Sequence, residues 1–150
     1  MPHAGLIPSN ISEEEELLLR AKLHVRAGRI RQQRGEYADA VAAFYDALSS
    51  ALLRLFVSDE LREGYGLPTP NGEIDEIEHL RILVEHNIID TDFGISEMDE
   101  LKSMLGRAFE GKPVRPLEEE FMAKYESIMR QLQILPIHDD ELPRELSETT

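Results

Sequence analysis

The sequence predicts an all-α fold of about five helices: a long N-terminal antiparallel hairpin, shorter helices behind it, and an acidic C-terminal tail. Three observations carry that expectation. Apolar residues recur at i, i+3, i+4 spacing, most clearly at Tyr37, Ala40, Val41, Phe44, Leu48, Ala51, Leu52 and Leu55. No stretch shows the strict alternation of a half-buried strand. Capping residues and chain breakers punctuate the periodic segments, as at Ser12 and Gly35.

The first helix opens at Ser12, a good N-cap, with Glu15 three residues on to complete a capping box. Glu13 to Glu16 lie at the positive end of the helix dipole, and the cations follow toward the other end. Leu18, Ala21, Val25 and Gly28 share one side, while Leu19, Leu23, Ala27 and Ile30 share a roughly opposite one. Such a helix is expected to be covered on two faces. Gly35 ends it, and the short turn from Arg34 to Tyr37 makes the second helix its antiparallel neighbour. Gly28, Ala40 and Ala47 are small enough to let the two backbones approach, with Phe44 filling the space beside them.

Residues 57–72 hold three glycines and two prolines and read as loop, with a short helical turn starting at Ser58. A third helix is expected over Glu73 to His86, with Ile74, Ile77, Leu80, Leu83 and Val84 inward. Asp90 to Gly94 form a loop, and Ser96 with Asp99 forms the cap of a fourth helix carrying Met98, Leu101, Met104, Leu105, Ala108 and Phe109. Gly111 to Pro116 form a rigid linker, and Pro116 is placed in the first turn of a fifth helix. That helix carries Leu117, Phe121, Tyr125, Ile128, Met129 and Leu132. The expected organisation is a flexible N-terminus over residues 1–11, one helical domain over 12–135, and an acidic mobile tail over 136–150.

Composition narrows the chemistry. The chain has 150 residues, enough for one domain with a real core, and is 41% hydrophobic and 31% charged. It contains no cysteine, which removes disulfides, thiolate nucleophiles and Cys-based zinc sites from its own chemistry. No apolar run approaches the roughly 20 residues of a membrane span, and the N-terminus lacks the pattern of a secretory signal. The expected location is the cytoplasm, without membrane association. The formal net charge of −14 argues against broad nucleic-acid binding, which needs a cationic surface.

The charge is unevenly spread. From Arg20 to Arg34 there are six cations and no acid. Within that run Lys22, Arg26, Arg29 and Gln33 share about 60° of helix surface. They are the candidate partner-binding residues, suited to an acidic peptide or a phosphate chain. The competing structural reading pairs them with Glu73, Asp75, Glu76, Glu78 and Glu118 to Glu120, since the chain has 30 acids against 16 bases.

Other chemistry finds little support. Glu76 and His79 form one Glu-x-x-His step, but a di-iron bundle needs two, and His24, His86 and His138 lack the required Glu; a solvated face is expected instead. Asp90, Asp92 and Glu97 do not have the spacing of a calcium loop. No metal site and no cofactor is therefore assigned.

Two family resemblances add to this reading. Ala21 to Leu52 resembles one tetratricopeptide repeat: Gly28 is the small residue of the first helix, Ala40, Phe44 and Ala47 give the small–aromatic–small pattern of the second, and Gly35 to Tyr37 form the link. His24, Arg31 and Leu52 depart from the pattern, and it does not recur 34 residues on, so the chain is no repeat array. The long hairpin followed by shorter helices also resembles the HEPN superfamily, some members of which are ribonucleases. The spacing from Arg81 to His86 resembles that family's catalytic pair, in which Arg steadies phosphate charge and His moves a proton. Ile82 replaces the polar residue usual after the Arg.

The function expected from these readings is a non-catalytic helical module that binds a protein, partner helix or acidic peptide beside the first hairpin, with a homodimer as a further expectation. The alternative is a HEPN-like ribonuclease or toxin–antitoxin component using Arg81 and His86, and nucleic acid is a partner only in that case.

Overall fold

The computed structural model describes residues 10–68, 75–138, 140 and 142–143. Among them are six α-helices and no strand: α1 (Glu13–Gln33), α2 (Tyr37–Val57), α3 (Asp59–Gly64), α4 (Glu76–Glu85), α5 (Ile95–Phe109) and α6 (Glu119–Gln131). The sixth helix is the turn opened by Ser58, whose hydroxyl accepts from the Leu61 N–H at 3.2 Å. Residues 73 and 74, expected in the third helix, lie outside the described residues.

α1 and α2 form the expected antiparallel hairpin and are the most extensively packed pair in the molecule. The Ser12 hydroxyl accepts from the Glu15 N–H at 3.2 Å. The other half of the box differs from expectation, because the Glu15 carboxylate accepts from that same hydroxyl instead of from the backbone. At the far end, Gly35 adopts a φ of 78°, which a side chain would resist, and the Gly35 and Glu36 N–H groups reach back to the Gln32 and Arg31 carbonyls. The same two-bond closure ends α3, α4, α5 and α6. Two of these ends use a residue other than glycine in the left-handed region, Asn87 and Gln133. That conformation costs Gln133 roughly 1 kcal/mol. Its neighbours Leu132 and Ile134 are both buried, and Ile134 returns to the carbonyl of buried Met129, so packing holds the turn.

The core is organised around α2. Its composition and length would suffice to cross a membrane, contrary to the expectation that no run does so, but 67% of the apolar window is buried inside the bundle. A column of rings crosses the core from this helix. Phe44 meets Tyr125 edge-on at 5.2 Å, Tyr125 meets Phe93 at 6.1 Å, and Phe93 meets Phe121 at 5.7 Å. On its other side Phe44 lies directly on the Gly28 backbone: a Cβ there would stand 2.6 Å from the ring. Tyr125 is fully buried, and its hydroxyl donates to the Phe44 carbonyl at 2.7 Å. One aromatic residue thus fixes α1 and α6 against α2.

The remaining helices close the bundle. Asp75 caps α4 by accepting from the Glu78 N–H at 3.0 Å. The cap of α5 is not Ser96 with Asp99. The helix starts at Ile95, and the Gly94 N–H donates to the Glu97 carboxylate at 2.8 Å, so the acid closest to the first exposed amide wins. Pro116 is not in the first turn of α6 either: Glu118 is the N-cap, and Pro116 belongs to the extended linker. Gln131 clasps the α4–α5 loop, donating to the Asp90 carbonyl at 2.7 Å and accepting from the Asp90 N–H at 2.6 Å.

Two residues expected in the core are outside it. Val84 is 46% exposed and Phe109 is 80% exposed. Both extend an apolar stripe along the helix beyond the neighbours that cover it. Leu80, Leu83, Met98 and Leu101, on the same two helices, are fully buried.

The close Gly28 contact yields a direct test. Gly28→Ala gains about 1 kcal/mol of helix propensity, yet its methyl group meets a ring that is itself buried and cannot step aside. The substitution is expected to destabilise the fold by about 1–3 kcal/mol, the range for overpacking a core. A melting temperature equal to or above that of the wild type would contradict this packing.

Candidate functional site

Three successive turns of α1 dictate what its flanks can do. Residues near i, i+4, i+7 and i+11 align along a helix, and on α1 these are Arg20, His24, Ala27 and Arg31. On α2 the facing set is Asp39, Ala42, Ala43 and Asp46. Together these eight line an outer groove of about 410 Å³ along the hairpin. At one end the charges are closed. Arg20 grips Asp46 with two nitrogens at 2.9 and 3.0 Å, and His24 Nε2 lies 3.0 Å from the same carboxylate. Burial alone would raise the Asp46 pKa, but the hydrogen bonds from His24 and Arg20 and their charge outweigh it and hold the carboxyl down at about 2. At the other end Arg31 and Asp39 line the groove, and their side chains make no hydrogen bond or ion pair to any described residue.

The predicted basic stripe lies on a different flank. Gln33 and Arg29 rim a cleft of about 490 Å³ between α1 and α6, with Phe44, Leu117 and Met122 as its apolar surface. Glu119 and Glu126 line the α6 side, and Arg29 stands 3.5 Å from Glu126. Higher on the stripe, Arg26 donates to the Pro143 carbonyl at 2.6 Å, and Leu142 beside it is buried. Neither Lys22 nor Arg26 is a free cation. The structure therefore divides the four predicted residues: Arg29 and Gln33 share a cleft, and Arg26 holds part of the segment read as a tail, of which residues 144–150 lie outside the described residues. Among the described residues, Glu126 reaches the stripe at Arg29, an acid that sequence reasoning did not name; Asp75, Glu76 and Glu78 cap or line α4 instead.

Arg81 and His86 are held separately. Arg81 pairs with Glu78 one turn back on its own helix. The His86 ring lies 2.9 Å from the Ile82 carbonyl. Both are exposed, and no hydrogen bond joins them.

Glu76 and His79 differ from the solvated face expected of them. His79 is buried and stacks on Phe56 with ring centroids 4.5 Å apart, and its Nδ1 has no partner among the described residues. Burial lowers its pKa, against the opposing pull of Glu76, Asp75 and Glu78. Across from it, burial and then the Glu76 carboxylate push the Tyr45 hydroxyl up to about 12. Among the described residues no three His, Asp or Glu side chains gather as metal ligands.

Sequence reasoning missed the outer groove. Its signal was present in Asp46, which with Asp39 and Arg54 makes up the charged residues of an otherwise apolar or small-polar helix. A lone acid in the middle of such a helix needs a cation from the neighbouring one.

Two pH effects follow with definite sign. Asp46 binds its proton less readily folded than unfolded, so it stabilises the fold above about pH 4 and that contribution is lost as pH falls toward 2. Discounted for partial exposure, Asp46→Asn should cost about 1–2 kcal/mol at neutral pH and less near pH 2; equal cost at both pH values would show that the charge is not responsible. His79 is also harder to protonate when folded, so stability should fall as pH drops below about 6.5. Chemical denaturation of His79→Phe between pH 7 and 5 is expected to show a shallower slope than wild type, and an unchanged slope would remove His79 from the acid response.

No family model matches the chain, and no curated protein or solved structure is significantly similar to it.

Proposed function

We propose that this chain is a cytoplasmic, non-catalytic helical interaction module that receives an amphipathic partner helix or acidic peptide in the cleft between α1 and α6. The observation that carries the reading is the cleft itself: about 490 Å³, with half-buried Met122 as its accessible apolar residue above the buried Phe44 and Leu117, and Arg29, Gln32 and Gln33 along one rim. An apolar stripe on a partner would occupy the floor, and an acidic side chain beside that stripe would replace Glu126 at Arg29. The 3.5 Å separation of Arg29 from Glu126 is long for a charge-assisted hydrogen bond, so the exchange gives up little.

The likeness of Ala21 to Leu52 to a tetratricopeptide repeat supports the same reading, because hairpins of that kind present their flanks to other helices. In this chain α6 covers one flank only in part. The HEPN-like nuclease reading has less behind it, since Glu78 and the Ile82 carbonyl engage Arg81 and His86 apart from each other.

A photo-reactive residue placed at Met122 of the full chain is expected to trap a helical partner in the native cell. Arg29→Glu should reduce that capture by about tenfold, the equivalent of one good charged contact. Equal capture by the variant, or none from Met122, would overturn the assignment. Metal-free RNA cleavage by the wild type that His86→Ala abolishes would replace it with the nuclease.

A further inference from the structure

The outer groove and the α1–α6 cleft lie on different flanks of α1, and the groove has a property that the cleft lacks. Its open end carries one cation and one anion, Arg31 and Asp39, on opposite walls. Each lies four residues from Gly35, so they stand level across the antiparallel hairpin. The Arg31 side chain is half-buried yet makes no hydrogen bond or ion pair to any described residue, and the Asp39 side chain makes none either. Intrachain pairing has not joined them, although at the closed end it has joined Arg20 to Asp46, with His24 against the same carboxylate.

We propose that the outer groove is a self-association surface, whose occupant is the same groove of a second copy of this chain. A two-fold axis running along the groove lays α1 of one copy over α2 of the other. Arg31 then faces the second copy's Asp39, and symmetry supplies the reciprocal pair without further design. No other partner is specified so directly by the patch, because a patch holding one charge of each sign on opposite walls is complementary to itself. The floor permits the approach. Ala27, Ala42 and Ala43 are the residues between the charged ends, and none has a side chain long enough to keep two helices apart. The closed end needs no partner, since Arg20 already neutralises Asp46 and the pair can be covered without leaving a bare charge.

This association does not depend on the α1–α6 cleft, which remains open on the far flank of each hairpin.

Sedimentation velocity on the full chain at about 0.15 M salt tests the proposal. The wild type is expected to sediment as a dimer at about 100 μM, far above the ~1 μM dissociation constant of a modest specific interface. Arg31→Asp alone and Asp39→Arg alone should each weaken the dimer at least about tenfold. The double variant carrying both changes should recover it to within a few-fold of wild type, because the reciprocal pairs are rebuilt with exchanged charge. Ala42→Arg, at the groove floor, should abolish association while leaving the helical circular dichroism unchanged. A wild type that stays monomeric at about 100 μM overturns the proposal. So does a dimer that all four variants retain, which would place the interface elsewhere.

Discussion

The contact of the Phe44 ring with the bare backbone of Gly28 sets the geometry of this molecule. A helix pair normally stands 8–10 Å apart on its side chains. Here one helix contributes no side chain at the crossing, and the other contributes a ring that reaches through to Tyr125. The tyrosine hydroxyl returns to the Phe44 carbonyl, so ring packing and a buried hydrogen bond act on the same residue from two directions. The flanks of α1 inherit their width from this crossing. The groove on one side and the cleft on the other are both spaces left between helices whose separation Phe44 determines.

Electrostatics then sorts the surface. The chain carries an excess of acid, yet its cations are concentrated on α1 and much of their charge is used internally. Arg20 closes on Asp46, Arg54 on Glu14, Arg29 approaches Glu126, and Arg26 holds a backbone carbonyl near the C-terminus. These pairs tie α1 to α2, to α6 and to the segment after it. A basic helix in an acidic protein thus acts first as a fastener, and its capacity for outside partners is what remains after that. Arg31 remains entirely, and Arg29 in part.

The hairpin was legible in the sequence because its determinants are local. Ser12, Gly35 and the spacing of Tyr37 to Leu55 act within a few residues, and the small residues at 28, 40 and 47 announce a close crossing before any coordinates are known. What could not be read depends on the far ends of neighbouring elements. Periodicity places Phe109 and Val84 on the apolar stripes of α5 and α4, but it does not say where the covering helix stops. The cap of α5 went to Glu97 in place of Asp99 because the helix began two residues earlier than a serine suggested. His79 reads as polar, and its place against Phe56 is a long-range packing fact. Among the site residues, Lys22, Arg26, Arg29 and Gln33 were read as one strip of helix surface. That strip is divided between a cleft and a chain segment, because Pro143 is more than a hundred residues away from Arg26.

The clasp of Gln131 on Asp90 has a consequence for motion. One side-chain amide satisfies both the donor and the acceptor of a loop residue, so the α4–α5 loop is fastened there to the last turn of α6. Two segments forty residues apart in the chain are thereby joined into one opening unit. Solvent deuterium should reach the Asp90 amide only on the occasions when the Gln131 side chain lets go.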